Sequence, residues 1–297
     1  MTRTPVFGRL ITAMATPFTT DLELDLDRAQ ELAVDLINRG NDALIISGTT
    51  GESPTLSKTE KLELFRAVMA AVGGDAPVIA NVGSNNTADS VAFAKEASDI
   101  GVDGLMAVVP YYNKPPQEGL YQHFKAIAEA VEIPVIPYNI PGRSVINMET
   151  ATTLRLANDV PNILAVKEAS GNLTQIADIA SKAPEGFVVY AGDDEITLPL
   201  MALGGYGVIA TIGNLTPERM KEIVDLMAAG ETAKALEAHL KLQPLMKELF
   251  VTTNPIMLKA AMSLAGFDIG GVRLPLVNAT EAQIAGIEKI MQAVGVL

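Results

Sequence analysis

The sequence predicts an α/β chain folded as a (β/α)8 barrel, the TIM-barrel architecture, with additional C-terminal helices. Eight short runs, rich in Val and Ile and mostly apolar on both faces, read as strands of a parallel sheet covered on both sides. Segments with helical spacing separate them, and eight strands each followed by a helix predict a closed barrel. The competing architecture, an open doubly wound sheet, usually has fewer strands and a Gly-rich phosphate turn after the first. Here the first strand run is followed by Ala15-Thr16-Pro17-Phe18, with no such turn.

In chain order the strand runs are 9–14, 43–46, 77–82, 104–109, 134–139, 163–168, 187–192 and 206–210. Helical spacing is plainest over 27–39, 59–71, 88–100 and 120–131. Ser57 with Glu60, and Thr280 with Gln283, fit capping boxes. Thr216-Pro217 and Asn254-Pro255 each place a capping residue before a proline suited to the first helical position. Pro137 breaks a local rule, because proline inside a strand removes a ladder donor. The strand signal stops near residue 230, so 1–229 reads as the barrel and 230–297 as a helical extension packed on it.

Acidic residues outnumber basic ones 35 to 22, a formal charge of −13. Such a surface repels nucleic acid, and no basic run offsets it. No apolar run approaches the ~18–20 residues that span a bilayer, so no membrane partner is expected. The chain has no cysteine, which excludes disulfides, thiol nucleophiles and cysteine-ligated metals. Residues 1–5 lack the apolar core of a secretory leader, and together these features suit the cytoplasm.

In such a barrel, chemistry sits at the C-terminal ends of the strands. Lys167 is the only lysine inside a strand-like apolar run. An ordinary lysine has a pKa near 10.4, leaving about one in a few thousand neutral at pH 7. Amine attack on a ketone needs the neutral form, and a desolvating barrel mouth supplies it. The competing reading pairs Lys167 with Glu168 or Asp193, and strand context alone leaves the two even. Tyr138, at the end of the fifth run, suits proton transfer, yet tyrosines at strand ends are common. Gly48-Thr49-Thr50-Gly51 offers hydroxyls and backbone N–H groups to a carboxylate, or is an ordinary turn. Arg143 matches a carboxylate bidentately, or is a solvated arginine. Asp193-Asp194 reads as a turn and helix cap, and His123 and His239 fall on helical segments, so no metal site is expected. Gly213-Asn214 lies at the end of the barrel where a phosphate could bind.

Four stretches, in order, resemble the family that contains dihydrodipicolinate synthase and N-acetylneuraminate lyase. They are Gly48-Thr49-Thr50-Gly51-Glu52-Ser53, Tyr138-Asn139-Ile140-Pro141-Gly142-Arg143, Val166-Lys167-Glu168-Ala169-Ser170-Gly171 and Gly192-Asp193-Asp194. The similarity runs essentially the whole length, through Arg273-Leu274-Pro275-Leu276. It implies that Lys167 forms the Schiff base and that Tyr138 is the acid–base residue. Thr49 and Tyr112 would complete a proton relay, with Tyr112 reaching in from a neighbouring subunit. Thr50 would hold the pyruvate carboxylate, and Gly192 and Ile209 would shape the pocket. Arg143 resembles the arginine that the synthases use on L-aspartate-4-semialdehyde. The implied reaction is therefore condensation of pyruvate with that aldehyde; the alternative is an aldolase of a sugar acid, of the N-acetylneuraminate or 2-keto-3-deoxygluconate type.

The resemblance implies no metal or organic cofactor, small-molecule partners only, and a homotetramer built as a dimer of dimers. Ser53, Asn85, Asp89 and Tyr111 resemble parts of a regulatory lysine pocket. Lys58 and Lys61 stand where inhibited members commonly carry histidines. Two ammonium groups there would repel an incoming lysine, so weak sensitivity or none is expected.

Overall fold

The computed structural model describes residues 7–297; the segment read above for a secretory leader lies outside them. Eight strands form one closed parallel barrel in sequence order. They are β1 (Leu10–Ala13), β2 (Ala43–Ile46), β3 (Val78–Asn81), β4 (Gly104–Val108), β5 (Val135–Asn139), β6 (Ala165–Glu168), β7 (Val188–Ala191) and β8 (Gly207–Ala210). β1 pairs with both β2 and β8, which closes the ring. Each strand falls within its expected run.

Alternation along these strands produces two apolar layers. Ile11, Ile45, Ile79, Met106, Ile136, Tyr190 and Ile209 point inward and pack as the barrel interior. The residues between them, such as Leu10, Leu44, Val78, Leu105, Val166 and Val208, point outward against the helices. Burial on both faces is why the strands read as continuous apolar runs and not as alternating ones.

The helices Leu26–Asn38, Lys58–Val72, Thr87–Ile100 and Gln117–Ala128 correspond to the four plainest helical segments. Both capping boxes form, at Ser57 and at Thr280. The two proline signals behave differently. Thr216 precedes the helix Pro217–Ala228, but its side chain makes no capping bond. Asn254 does not cap at all: Pro255 stands ahead of the helix Ile256–Leu264, and the Asn254 amide is engaged elsewhere.

Pro137 also finds its explanation. Val135 donates to Asn162, and Ala169 donates to Asn139, along the β5–β6 edge. Pro137 lies between them on that edge and has no N–H to add. The β5–β6 ladder is accordingly short, with Tyr138 opposite Lys167 and Asn139 opposite Glu168.

Candidate active site

That short ladder fixes the centre of the site. Tyr138 and Lys167 are direct cross-strand partners, and both side chains turn into the barrel mouth. The Lys167 ammonium lies 4.3 Å from the centre of the Tyr138 ring. Lys167 is only 5% exposed, and no carboxylate lies within ion-pair distance of it among the described residues.

Glu168, one residue on, faces the other way and is fully buried. Its carboxylate accepts from Asn139 Nδ2 at 3.1 Å, the Ser170 N–H at 2.7 Å and Gln175 Nε2 at 3.2 Å. Those donors satisfy Glu168 without Lys167. Burial lowers the Lys167 pKa to about 8, against an opposing pull from Asp194, with Arg143 adding to the lowering. At pH 7 about one Lys167 in ten is then neutral, several hundred times more than for an ordinary lysine. Burial pushes the Tyr138 phenol well above its ordinary value, while Arg143 and a hydrogen bond with Thr49 oppose that shift. Tyr138 therefore stays protonated and can donate at neutral pH.

Gly192 leaves room for the lysine stem. A Cβ there would lie 2.7 Å from Ala169 Cβ and 3.1 Å from Lys167 Cε. Ile209 packs in the interior layer below. The Gly48–Gly51 turn is flanked by Ser47 and Glu52, both in the left-handed region at φ 55° and 54°. Non-glycine residues adopt that region only where the surroundings enforce it. The Thr49 and Thr50 N–H groups find no acceptor among the described residues, which leaves them available to an anion.

A cavity of about 280 Å³ opens beside Tyr138, lined among others by Thr49, Ser53, Lys61, Tyr111, Tyr138 and Arg143, with Lys167 and Thr50 set back from its wall. The Arg143 guanidinium makes no ion pair among the described residues, unlike most cations of this acidic chain. The remaining expected site residues are scattered. Tyr112 is 88% exposed, with a left-handed backbone (φ 72°), and does not reach Tyr138 within its own chain. Lys58 pairs with Glu96 on the outer surface and does not line the cavity. Asn85 and Asp89 also lie off the cavity wall, although the Asn85 carbonyl accepts from Asn113. Of the two lysines expected beside a regulatory ligand, the cavity holds only Lys61.

Two features escaped the sequence reading. Asp193 caps its turn as expected, but Asp194 is buried and accepts from the Thr211 and Ile212 N–H groups. Burial raises its pKa to about 6. It acts on Lys167 through its charge, across the barrel mouth. Asn214, at the position open to a phosphate, instead ties the C-terminal ends of β1 and β8 together: its amide bonds to Ala13, Ala15 and Thr211.

The second feature is a buried ion pair. Glu52 Oε1 lies 2.8 Å from Lys259 Nζ, with side-chain exposures of 1% and 3%. Glu52 Oε2 accepts from the Arg273 N–H at 2.9 Å, and Arg273 reaches on to Thr55 and Glu60. No local pattern marks a lysine inside a helix as the partner of a glutamate two hundred residues earlier. Lys259→Met should destabilise the protein by about 3–5 kcal/mol, because it leaves the Glu52 carboxylate buried without a countercharge. Adding Glu52→Gln should recover part of the loss. Urea unfolding of the unaltered protein and the two variants measures this, and a loss under about 1 kcal/mol for Lys259→Met would contradict the assignment.

Residues 6–294 match the model of the Dihydrodipicolinate synthetase family. The chain belongs to that family. It is 54% identical over 293 residues to the 4-hydroxy-tetrahydrodipicolinate synthase of Symbiobacterium thermophilum, covering 99% of this chain and 100% of that one. It is 53% identical over 291 residues to the synthase of Moorella thermoacetica, at 98% and 99% coverage. Among solved structures, dihydrodipicolinate synthase from Cyanidioschyzon merolae with lysine bound superposes with a TM-score of 0.96 at 44% identity. That superposition covers 98% of this chain and 99% of the other. Membership of the dihydrodipicolinate synthetase family bears out the motif resemblance read from the sequence, and the superposition bears out the barrel.

Proposed function

We propose that this enzyme condenses pyruvate with L-aspartate-4-semialdehyde to give 4-hydroxy-tetrahydrodipicolinate, on the route to diaminopimelate and lysine. The observation that carries the reading is the pairing of a desolvated, unpaired Lys167 with Tyr138 beside a cavity lined by Tyr138 and Arg143. The names borne by relatives of about half identical sequence favour the same reading.

Neutral Lys167 attacks the pyruvate carbonyl, and the resulting carbinolamine loses water with proton donation from Tyr138. The Schiff base gives up a methyl proton to become an enamine, whose carbon attacks the aldehyde. The amine of the second substrate then displaces Lys167 and closes the ring. Thr49, hydrogen-bonded to Tyr138, passes protons, and Thr50 with the free N–H groups of the turn holds the pyruvate carboxylate. Gly192 and Ile209 shape the floor, and Arg143 binds the carboxylate of the aldehyde substrate.

Steady-state assays test the substrate pair. The protein should turn over pyruvate with L-aspartate-4-semialdehyde, and Arg143→Ala should raise KM for the aldehyde at least tenfold with little change for pyruvate, since a charged hydrogen-bonded contact is lost. Cleavage of N-acetylneuraminate or 2-keto-3-deoxygluconate, without condensation, would establish the sugar-acid alternative instead.

Tyr112 is assigned to the relay of a neighbouring protomer. Its exposure, on a backbone that a bulky residue adopts only under constraint, supports this. The assembly is then a dimer at least, and we assign a homotetramer. Sedimentation should show that state, and a fully active monomer would remove Tyr112 from the mechanism.

Ser53, Lys61 and Tyr111 share the cavity wall, and burial lowers the Lys61 pKa. That single ammonium opposes a bound lysine, so we assign weak lysine sensitivity or none; half-inhibition below millimolar lysine would contradict it. Among the described residues no helix is long and apolar enough to cross a membrane. The location we assign is the cytoplasm, consistent with a chain without cysteine.

A further inference from the structure

We propose that Asn254, in the C-terminal segment, is a positioning residue for the substrate carboxylate, because it fixes the direction in which Thr50 gives its hydroxyl proton. The proposal rests on the reading above, in which Thr50 holds that carboxylate.

Thr50 is 2% exposed, and its hydroxyl has two neighbours. Asn254 Nδ2 donates to Thr50 Oγ1 at 2.9 Å, a contact buried on both sides. Thr211 Oγ1 stands at 3.5 Å, the outer limit of a hydrogen bond. A hydroxyl has one proton to give and two lone pairs. The Asn254 N–H occupies one lone pair, so the proton points away from Asn254, where an anion bound at the turn would compete for it only with the distant Thr211 Oγ1. Without Asn254 the hydroxyl can rotate, and part of its population would point away from the ligand.

The same segment anchors the turn a second time. Two residues beyond Thr50, Glu52 is held by Lys259, five residues beyond Asn254, and by the Arg273 N–H. The 254–273 segment thus holds the loop at Thr50 and again two residues on, at Glu52. It contributes to the site, beyond its role in packing against the barrel.

Trapping with borohydride separates this role from a structural one. Asn254→Ala should raise the pyruvate concentration that half-saturates trapping by roughly tenfold, the scale of one hydrogen bond to a charged group. Trapping of acetone, a ketone without a carboxylate, should be unchanged. In a Thr50→Val background, Asn254→Ala should add nothing further, since its partner is gone. If the alanine variant does not fold, Asn254→Leu removes the same N–H while filling the space. A pyruvate half-saturation within twofold of the unaltered protein would overturn the proposal, as would equal losses for acetone. If the unaltered protein traps acetone but not pyruvate, or traps neither, the reading of the site beneath the proposal is overturned as well.

Discussion

Lys167→Ala is expected to lower turnover by a thousandfold or more while leaving the barrel folded, the scale seen when a covalent nucleophile is removed. Lys167 makes no ion pair among the described residues, and Glu168 is satisfied by Asn139, Gln175 and the Ser170 N–H. Its removal therefore orphans no buried carboxylate, and thermal unfolding should change little. Lys167→Arg should be equally inactive, since a guanidinium keeps the charge without offering a neutral amine. The pH dependence follows from the same burial. With the folded pKa lowered to about 8, the rate of pyruvate capture should rise about tenfold per unit below that value and level off above it. A rate still climbing at pH 10 would mark an ordinary lysine, and a Lys167→Ala variant retaining a tenth of its activity would remove Lys167 from the chemistry.

Tyr138→Phe should lower kcat by about 10²–10⁴-fold, the usual contribution of a positioned acid–base group. The substitution removes one oxygen and keeps the ring against which the Lys167 ammonium lies. Pyruvate binding should change far less than kcat. Burial keeps the phenol protonated at neutral pH, so the lost step is proton donation to the departing water of the carbinolamine. A Tyr138→Phe variant within tenfold of the unaltered kcat would transfer that role to another group.

The barrel was legible because each strand is buried on both faces, which writes eight Val- and Ile-rich runs into the chain. Lys167 stood out for the same reason, as a charge inside such a run. Its pairing with Tyr138 was not legible, because cross-strand register depends on ladders that local pattern does not specify. Asn254 shows the opposite failure. Asn-Pro ahead of a helix is a good capping signal, yet a tertiary contact to Thr50 claims the side chain. Asp194 was misassigned likewise, since its partners, the Thr211 and Ile212 N–H groups, lie on the next strand's loop. The resemblance set Lys58 and Lys61 together beside a regulatory ligand. Packing turned Lys61 to the cavity and left Lys58 beside Glu96.

The central claim is that pyruvate bonds covalently to Lys167. Incubation with pyruvate and sodium borohydride, followed by peptide mapping, tests it directly. A reduced pyruvyl adduct confined to the peptide containing Lys167, and absent from Lys167→Ala, is the predicted result. A folded protein that acquires no adduct, or acquires it on another lysine, would contradict the account.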